Sequence, residues 1–225
     1  MPAFSPDLQL ATLFVLNEKG RITGTREPDP LRGPRFSLIR SASSCAWAVR
    51  ADVTDEVAAR VDSLAREEPP AVDFADEPIH ADRYVSLVRG RIDAGPAFTF
   101  PENIAPTAGL VSIDEIAPLL QYFRGWTENE IPERLPIIGI VEDGNAVSVC
   151  FCARRSETAA EAGVETAEQF RGRGLGSRVV AAWAAAICAT GRVPIYSTSW
   201  SNKPSLGLAR KLALVTCASD WNLVD

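Results

Sequence analysis

Apolar side chains recur at every fourth position in Leu175, Val179, Trp183 and Ile187, the spacing of one face of an α-helix. The pattern predicts a helix over about 174–189, with Gly191 as its C-terminal stop. Upstream, LPIIGIVEDGNAVSVCFCARRS holds two β-rich runs around Glu142, Asp143, Gly144 and Asn145. Those four residues supply the positive-φ positions of a tight turn, so the stretch predicts a hairpin. A third strand is predicted over about Ala160–Thr166. After the helix come a strand in VPIYSTSW, a helix from about 203 and a final strand near WNLV. From about residue 96 the order reads strand, strand, strand, helix, strand, helix, strand, with PAFTFP as a short strand ahead of it. In SIDEIAPLLQYFRGW, Ser112 and Glu115 have the spacing of a capping box. Pro118 lies too deep for that helix to run unbroken, so a kink or restart is expected.

The first 95 residues are interrupted by prolines. LQLATLFVLNEKGRI predicts a strand or short helix ending at Glu18-Lys19-Gly20, and PRFSLIRSASSCAWAVRA predicts two strands. TDEVAARVDSLAREEPP predicts a helix capped by Thr54, with Asp55 and Glu56 in its first turn. Its core face is Val57, Val61, Leu64 and Ala65, and Pro69 and Pro70 stop it. A second helix, about Ala81–Arg89, offers Tyr84, Leu87 and Val88 to the core.

The chain has 225 residues, of which 46% are hydrophobic, and a formal net charge of -6. A sizeable core can form, and the acidic balance argues against a general nucleic-acid binder. No run of 18 apolar residues predicts a membrane helix. Cys45, Cys150, Cys152, Cys188 and Cys217 sit among apolar neighbours and read as reduced core residues of a cytoplasmic protein. No structural metal spacing is present, and His80, the single histidine, has no ligand pattern around it. No metal is expected.

The candidate chemistry lies in EQFRGRGLGS. Glycines at 172, 174 and 176 alternate directly ahead of the predicted helix, at an entropic cost that bare backbone must repay. The first N–H groups of that helix lack intrahelical partners and carry the positive end of its dipole, an arrangement suited to phosphate. Arg171 and Arg173 add charge. The glycines run G-x-G-x-G, so neither the dinucleotide fingerprint nor the P-loop is present. The pattern Q/R-x-x-G-x-G/A does fit, as Gln169, Gly172 and Gly174 and again as Arg171, Gly174 and Gly176.

Here the chain, over roughly 96–225, resembles the GCN5-related N-acetyltransferases, the GNAT superfamily. SNKPSLGLARKLAL is similar to the family's N-x-x-A/S helix, with Asn202 and Ser205 at those positions. The resemblance implies an α/β fold with a mixed, splayed central sheet, next to an N-terminal α/β region, 1–95, that it does not cover. It implies acetyl-CoA as co-substrate, held by Val164, Thr166, Gln169, Arg171, Gly172, Arg173, Gly174, Leu175, Gly176, Ser177, Asn202 and Ser205. It further implies transfer of the acetyl group to a primary amine of a small molecule or a protein, with no nucleic-acid or membrane partner.

Glu161 is the first candidate for the base and Glu165 the second; a solvated strand carboxylate is the alternative for both. The family's usual acidic tyrosine falls on Ala209 and is missing. Tyr196 is the candidate acid, or else a core tyrosine. The missing tyrosine also leaves open a catalytically weak acyl-CoA sensor with a regulatory N-terminal half. A degenerate second copy of the fold in 1–95 is a further option. Trp200, Trp126 and Phe123 are candidates for an acceptor pocket or else core aromatics, while Arg154 and Arg155 read as a solvated pair, with an acidic acceptor or the adenine-ribose phosphate as the alternative partner. The acceptor's identity and the oligomeric state are open, a homodimer included.

Overall fold

The structure is a computed structural model, and it describes residues 3–101 and 109–225. The chain opens with α1 (Pro6–Leu13), followed by β1 (Phe14–Leu16) and β2 (Ile22–Thr25), which pair as a small separate ribbon. Ser5 caps α1 by accepting the N–H of Leu8 at 3.2 Å, and Pro6 occupies the first turn, where its missing N–H costs nothing. Next come β3 (Phe36–Ser41), β4 (Cys45–Val49), α2 (Asp55–Ala65), α3 (Ala81–Val88) and β5 (Arg91–Thr99). Thr54 caps α2, which buries Val61, Leu64 and Ala65 as expected, but Ala58 in place of Val57, which is only half-buried. The Glu68 carboxylate closes the approach to α3, accepting the N–H groups of Ile79 and His80 and the Tyr84 hydroxyl, each at 3.0 Å.

The second half supplies β6 (Val111–Ile113), α4 (Ile131–Arg134), β7 (Ile137–Glu142), β8 (Asn145–Arg155) and β9 (Ala159–Thr166). It closes with α5 (Leu175–Ala189), β10 (Val193–Ser197), α6 (Lys203–Lys211) and β11 (Val215–Val224). The predicted hairpin turn forms at Asp143 and Gly144, with φ of 50° and 77°. The helix expected from Ser112 does not form. Val111–Ile113 instead pairs with β7 as an edge strand, and only a 3₁₀ turn at Ala117–Leu119 follows. The capping box occurs later, between Thr127 and Glu130, where it starts a short turn leading into α4.

Nine strands form one mixed sheet in the order β4-β3-β11-β5-β10-β9-β8-β7-β6. Every pairing is antiparallel except β9 with β10. The division expected after residue 95 falls inside β5, and strands from before and after it share this sheet. β5 lies between β10 and β11, matching Ile195↔Thr99 on one side and Leu223↔Ile92 on the other. Gly95 is required there, because a Cβ would sit 1.7 Å from the Thr198 carbonyl oxygen.

Alternation along the strands sends their side chains to the two faces of the sheet. Leu38 and Trp221 meet α2 and α3, and Ala160 and Ala162 meet α5 through Val179, Val180 and Trp183. On the other face Ile39, Ala97 and Ala218 meet α1 through Leu10 and Leu13. Cys150 and Cys152 are both buried on the α5 side, and all five cysteines are free thiols.

Candidate active site

The parallel β9–β10 ladder matches Val193↔Ala159, Pro194↔Ala160 and Ile195↔Glu161, then ends. β9 continues to Thr166 and β10 only to Ser197, so the strands part beyond Glu161. At the open end of β9 the chain turns through a short 3₁₀ segment, Glu168–Phe170, and enters α5. A cleft of 810 Å³ opens here, between the end of β9, the glycine turn and the start of α6.

The three glycines do different work. Gly172 has φ of 76° and open space where a Cβ would point. Gly174, the residue preceding the first turn of α5, has φ of 75° and makes no side-chain cap. The leading N–H groups of a fifteen-residue helix therefore have no side chain from Gly174 to bond them. Gly176 serves packing: a Cβ would lie 3.3 Å from Leu208 Cδ1 and 3.7 Å from Val164 Cγ2, so its absence lets α5 settle over β9 and α6.

Of the residues expected to hold a coenzyme, Val164, Thr166, Arg171, Gly172, Gly174, Leu175, Gly176, Ser177, Asn202 and Ser205 line the cleft, and Gln169 and Arg173 do not. Gln169 is exposed. Arg173 reaches the other way, to Glu142 Oε1 at 2.9 Å, with its guanidinium 5.3 Å from the Phe170 ring centroid. Arg171 donates from Nε to the Thr166 carbonyl at 3.2 Å. Asn202 caps α6 by accepting the Ser205 N–H at 3.2 Å, so its oxygen already has a structural partner.

Sequence reasoning missed Lys211. It lines the cleft, and its Nζ lies 2.5 Å from where a Gly174 Cβ would stand. The available signal was a basic residue in the last turn of the helix that Asn202 begins. Tyr122 and Phe170 also line the cleft and were not anticipated, and their rings pack edge-on at 5.6 Å. Phe123 lines it too. Trp126 instead packs on Phe151 at 4.7 Å beneath Arg134, and Trp200 does not line the cleft.

The acid–base candidates lie apart. Glu165 is exposed and lines the cleft. Glu161 is 4% exposed, faces α1 and does not line it. Both of its oxygens are engaged, Oε2 by Arg154 Nη1 at 3.1 Å and Oε1 by the Ser197 hydroxyl. Arg154 is therefore no solvated cation: it also binds Glu27 Oε1 at 2.6 Å, while Arg155 binds Glu133 Oε2 at 3.0 Å. Tyr196 is buried, and its hydroxyl donates to Ser205 Oγ at 3.0 Å; burial pushes its pKa up. Ala209, at the position of the family's tyrosine, is buried in the α5 core.

These residues fit a phosphate-bearing thioester. An uncapped helix start, two glycines with positive φ, open space at Gly172 and a lysine with no ion pair among the described residues suit a diphosphate, and the gap between β9 and β10 suits an extended arm.

A family model described as GNAT acetyltransferase matches residues 138–217, which hold the hairpin, the glycine turn, α5 and α6. Three solved structures share the fold. A GCN5-related N-acetyltransferase from Sphaerobacter thermophilus aligns at TM-score 0.50 and 11% identity, over 92% of this chain and 78% of that one. A tandem GNAT protein from the clavulanic acid biosynthesis pathway aligns at 0.51 and 13%, over 80% and 74%. A putative GNAT acetyltransferase from Novosphingobium aromaticivorans aligns at 0.50 and 22%, over 59% of this chain and 64% of its own length, less than two thirds. No curated protein matches the chain.

Proposed function

We propose, from the match of residues 138–217 to the GNAT acetyltransferase family and from the shared fold, that the protein transfers an acetyl group from acetyl-CoA to a primary amine by direct attack. The observation that carries the reading is the cleft where β9 and β10 part, with the uncapped start of α5 on its wall.

The N–H groups at the start of α5, with Gly172, Gly174 and Lys211, hold the diphosphate. Asn202, Ser205, Val164 and Thr166 flank the arm. When bound, acetyl-CoA supplies an acyl carbon open to attack, an oxygen that gains charge and a sulfur that leaves. Backbone N–H groups of β9 freed by the parted ladder face that developing charge. The amine must lose a proton to react, and Glu165, exposed on the cleft wall, is the carboxylate placed to accept it; Glu161, the first candidate from the sequence, is buried off the cleft with both oxygens engaged. A thiol with a pKa near its ordinary value of about 8.5 leaves without a strong acid, consistent with Ala209 at the family's tyrosine position and with a Tyr196 hydroxyl turned to Ser205.

Calorimetry with acetyl-CoA, followed by thiol release across a panel of primary amines, tests the reading. Saturable binding with amine-dependent release supports it. Binding without release from any amine points to an acyl-CoA sensor, and absence of binding removes both.

A further inference from the structure

We propose that the Ser205 hydroxyl donates a hydrogen bond to the sulfur that leaves the coenzyme, and that Tyr196 aims it there, a role that rests on the acetyltransfer reading above. Ser205 is half-buried and lines the cleft. Its Oγ accepts the Tyr196 hydroxyl at 3.0 Å and makes no other hydrogen bond among the described residues. Tyr196 directly follows Ile195, the last β10 residue paired with β9, and its side chain lies in the core beneath α5 with Ala162 of β9. The serine is thus tethered to the residue at which the two strands part. Val164 of β9 packs on the same core and lines the same cleft. An arm flanked by Val164 and Ser205, with its thioester at the gap, brings the sulfur beside this hydroxyl. The two other serine and threonine hydroxyls of the lining are engaged, Ser177 with the Gly174 carbonyl and Thr166 with Ser148 Oγ, each at 2.8 Å.

The direction of the tyrosine–serine bond decides what Ser205 can do. Tyr196 is 2% exposed, and a buried hydroxyl needs an acceptor. Ser205 Oγ is the acceptor it has. Burial pushes the Tyr196 pKa up, the Cys150 thiol of β8 adds to the shift and Ser205 opposes it. The phenol therefore stays protonated at neutral pH and donates, which leaves the serine's own hydrogen to point into the cleft. Ser205 also sits in the first turn of α6, where the helix dipole favours negative charge. Asn202 fixes it there by accepting its backbone N–H.

The step balances without a proton from either hydroxyl. As the amine nitrogen bonds to the acyl carbon, the C–S bond breaks and its electron pair stays on sulfur. The amine's proton goes to the base, as above. Ser205 keeps its proton and shares it in a hydrogen bond, which strengthens as the sulfur gains charge. The thiolate afterwards takes a proton from water. Ser205 so meets at the sulfur a need that the buried Ala209 cannot. Tyr196 touches no substrate and is a positioning residue.

The test titrates the thiol of coenzyme A bound to the full chain, by the ultraviolet absorbance of the thiolate, with kinetics alongside. On the unsubstituted protein the bound thiol ionises below its free value of about 8.5. Ser205→Ala raises the bound midpoint by about one pH unit and lowers kcat about tenfold, while acetyl-CoA affinity changes less than about twofold. The charged groups of the lining, Glu165, Glu168, Arg171 and Lys211, are the same in both proteins, so the difference isolates the hydroxyl. Ser205→Thr keeps both values near the parent's. Tyr196→Phe moves both the same way by less, and adding it to Ser205→Ala changes nothing further. An unchanged thiol midpoint in Ser205→Ala, or a loss of affinity with kcat unaltered, overturns the contact. A Tyr196→Phe effect that adds in full to that of Ser205→Ala overturns the aiming. A shifted thiol with no release from acetyl-CoA by any amine overturns the acetyltransfer reading and leaves the contact standing, whereas no binding of coenzyme A overturns both.

Discussion

The side-chain amide of Gln9, on the first helix, donates to both carboxylate oxygens of Asp220, on the last strand, at 2.9 Å each. The pair is buried, and the amide oxygen of Gln9 has no partner. A neutral carboxylic acid would resolve that mismatch, because its O–H can donate to the idle oxygen while its carbonyl accepts from the amide. The upward shift of Asp220 to about 8 has the same sense. The folded protein then holds a proton that the unfolded chain releases above its ordinary carboxyl pKa of 3.8. Stability is highest below that value and falls as pH rises toward 8, by up to about 1.4 kcal/mol per pH unit. Asp220→Asn keeps an acceptor and adds a donor for Gln9, so it flattens this decline. Urea unfolding from pH 5 to 9 reads it, and parallel slopes for variant and parent refute a protonated Asp220.

Gly174→Ala strains a residue held at φ of 75°. The expected cost is about 1–2 kcal/mol of stability, with loss of the thermal shift produced by acetyl-CoA. Gly191→Ala is the control. Gly191 has φ of 80° with nothing within 4 Å of an added Cβ, so it carries similar backbone strain away from the cleft. An equal loss of acetyl-CoA response in both variants would show that the glycine turn matters only for folding.

Lys211 is exposed, and its ammonium has no ion pair or hydrogen bond among the described residues. Arg173 is committed to Glu142, so Lys211 is the better-placed cation for a diphosphate. Lys211→Gln should weaken acetyl-CoA binding about fivefold at low salt, with the difference shrinking as ionic strength rises. Titrations at two salt concentrations measure this. Acetyl-pantetheine, which has no diphosphate, should bind both proteins alike.

Gly95→Ala places a methyl carbon on a backbone oxygen, that of Thr198. No side-chain rotation relieves the clash, so β5 and the turn after β10 must separate. A loss above about 3 kcal/mol, or failure to accumulate folded protein, is expected, at the upper end of single-substitution effects. An unfolding midpoint within a few degrees of the parent would show that this crossing is loose.

What could be read in the sequence was local. The turn at Asp143 and Gly144, the face of α5 from Leu175 to Ile187, the helix start near residue 203 and the open start at Gly174 each depend on neighbours a few residues away. The failed helix at Ser112 shows the limit of the same reasoning. A serine and a glutamate three apart are cheap to find, and Val111–Ile113 went to the edge of a sheet whose partner strand begins at Ile137. The arginines misled similarly, since composition could not show that Glu142 and Thr166 would take Arg173 and Arg171. Least legible was the cluster around Glu161. Gln9, Glu27, Arg154, Ser197 and Asp220 are scattered along the chain and meet only because α1, β8, β10, β11 and the loop after β2 converge there, and no periodicity marks such a meeting.

The strand Arg91–Thr99 is threaded between two strands from the other end of the chain, which decides how this protein can be taken apart. Cutting at the apparent border after residue 95 would leave β10 its partners at Ala97–Thr99 but strip β11 from Asp220 to Val224 of its partners on β5, and of β3 on its other side, exposing raw edges prone to aggregation. A library that exchanges N-terminal halves among related proteins would therefore yield mostly insoluble chimeras. One that moves residues 1–99 only together with 193–225 would keep the seam intact.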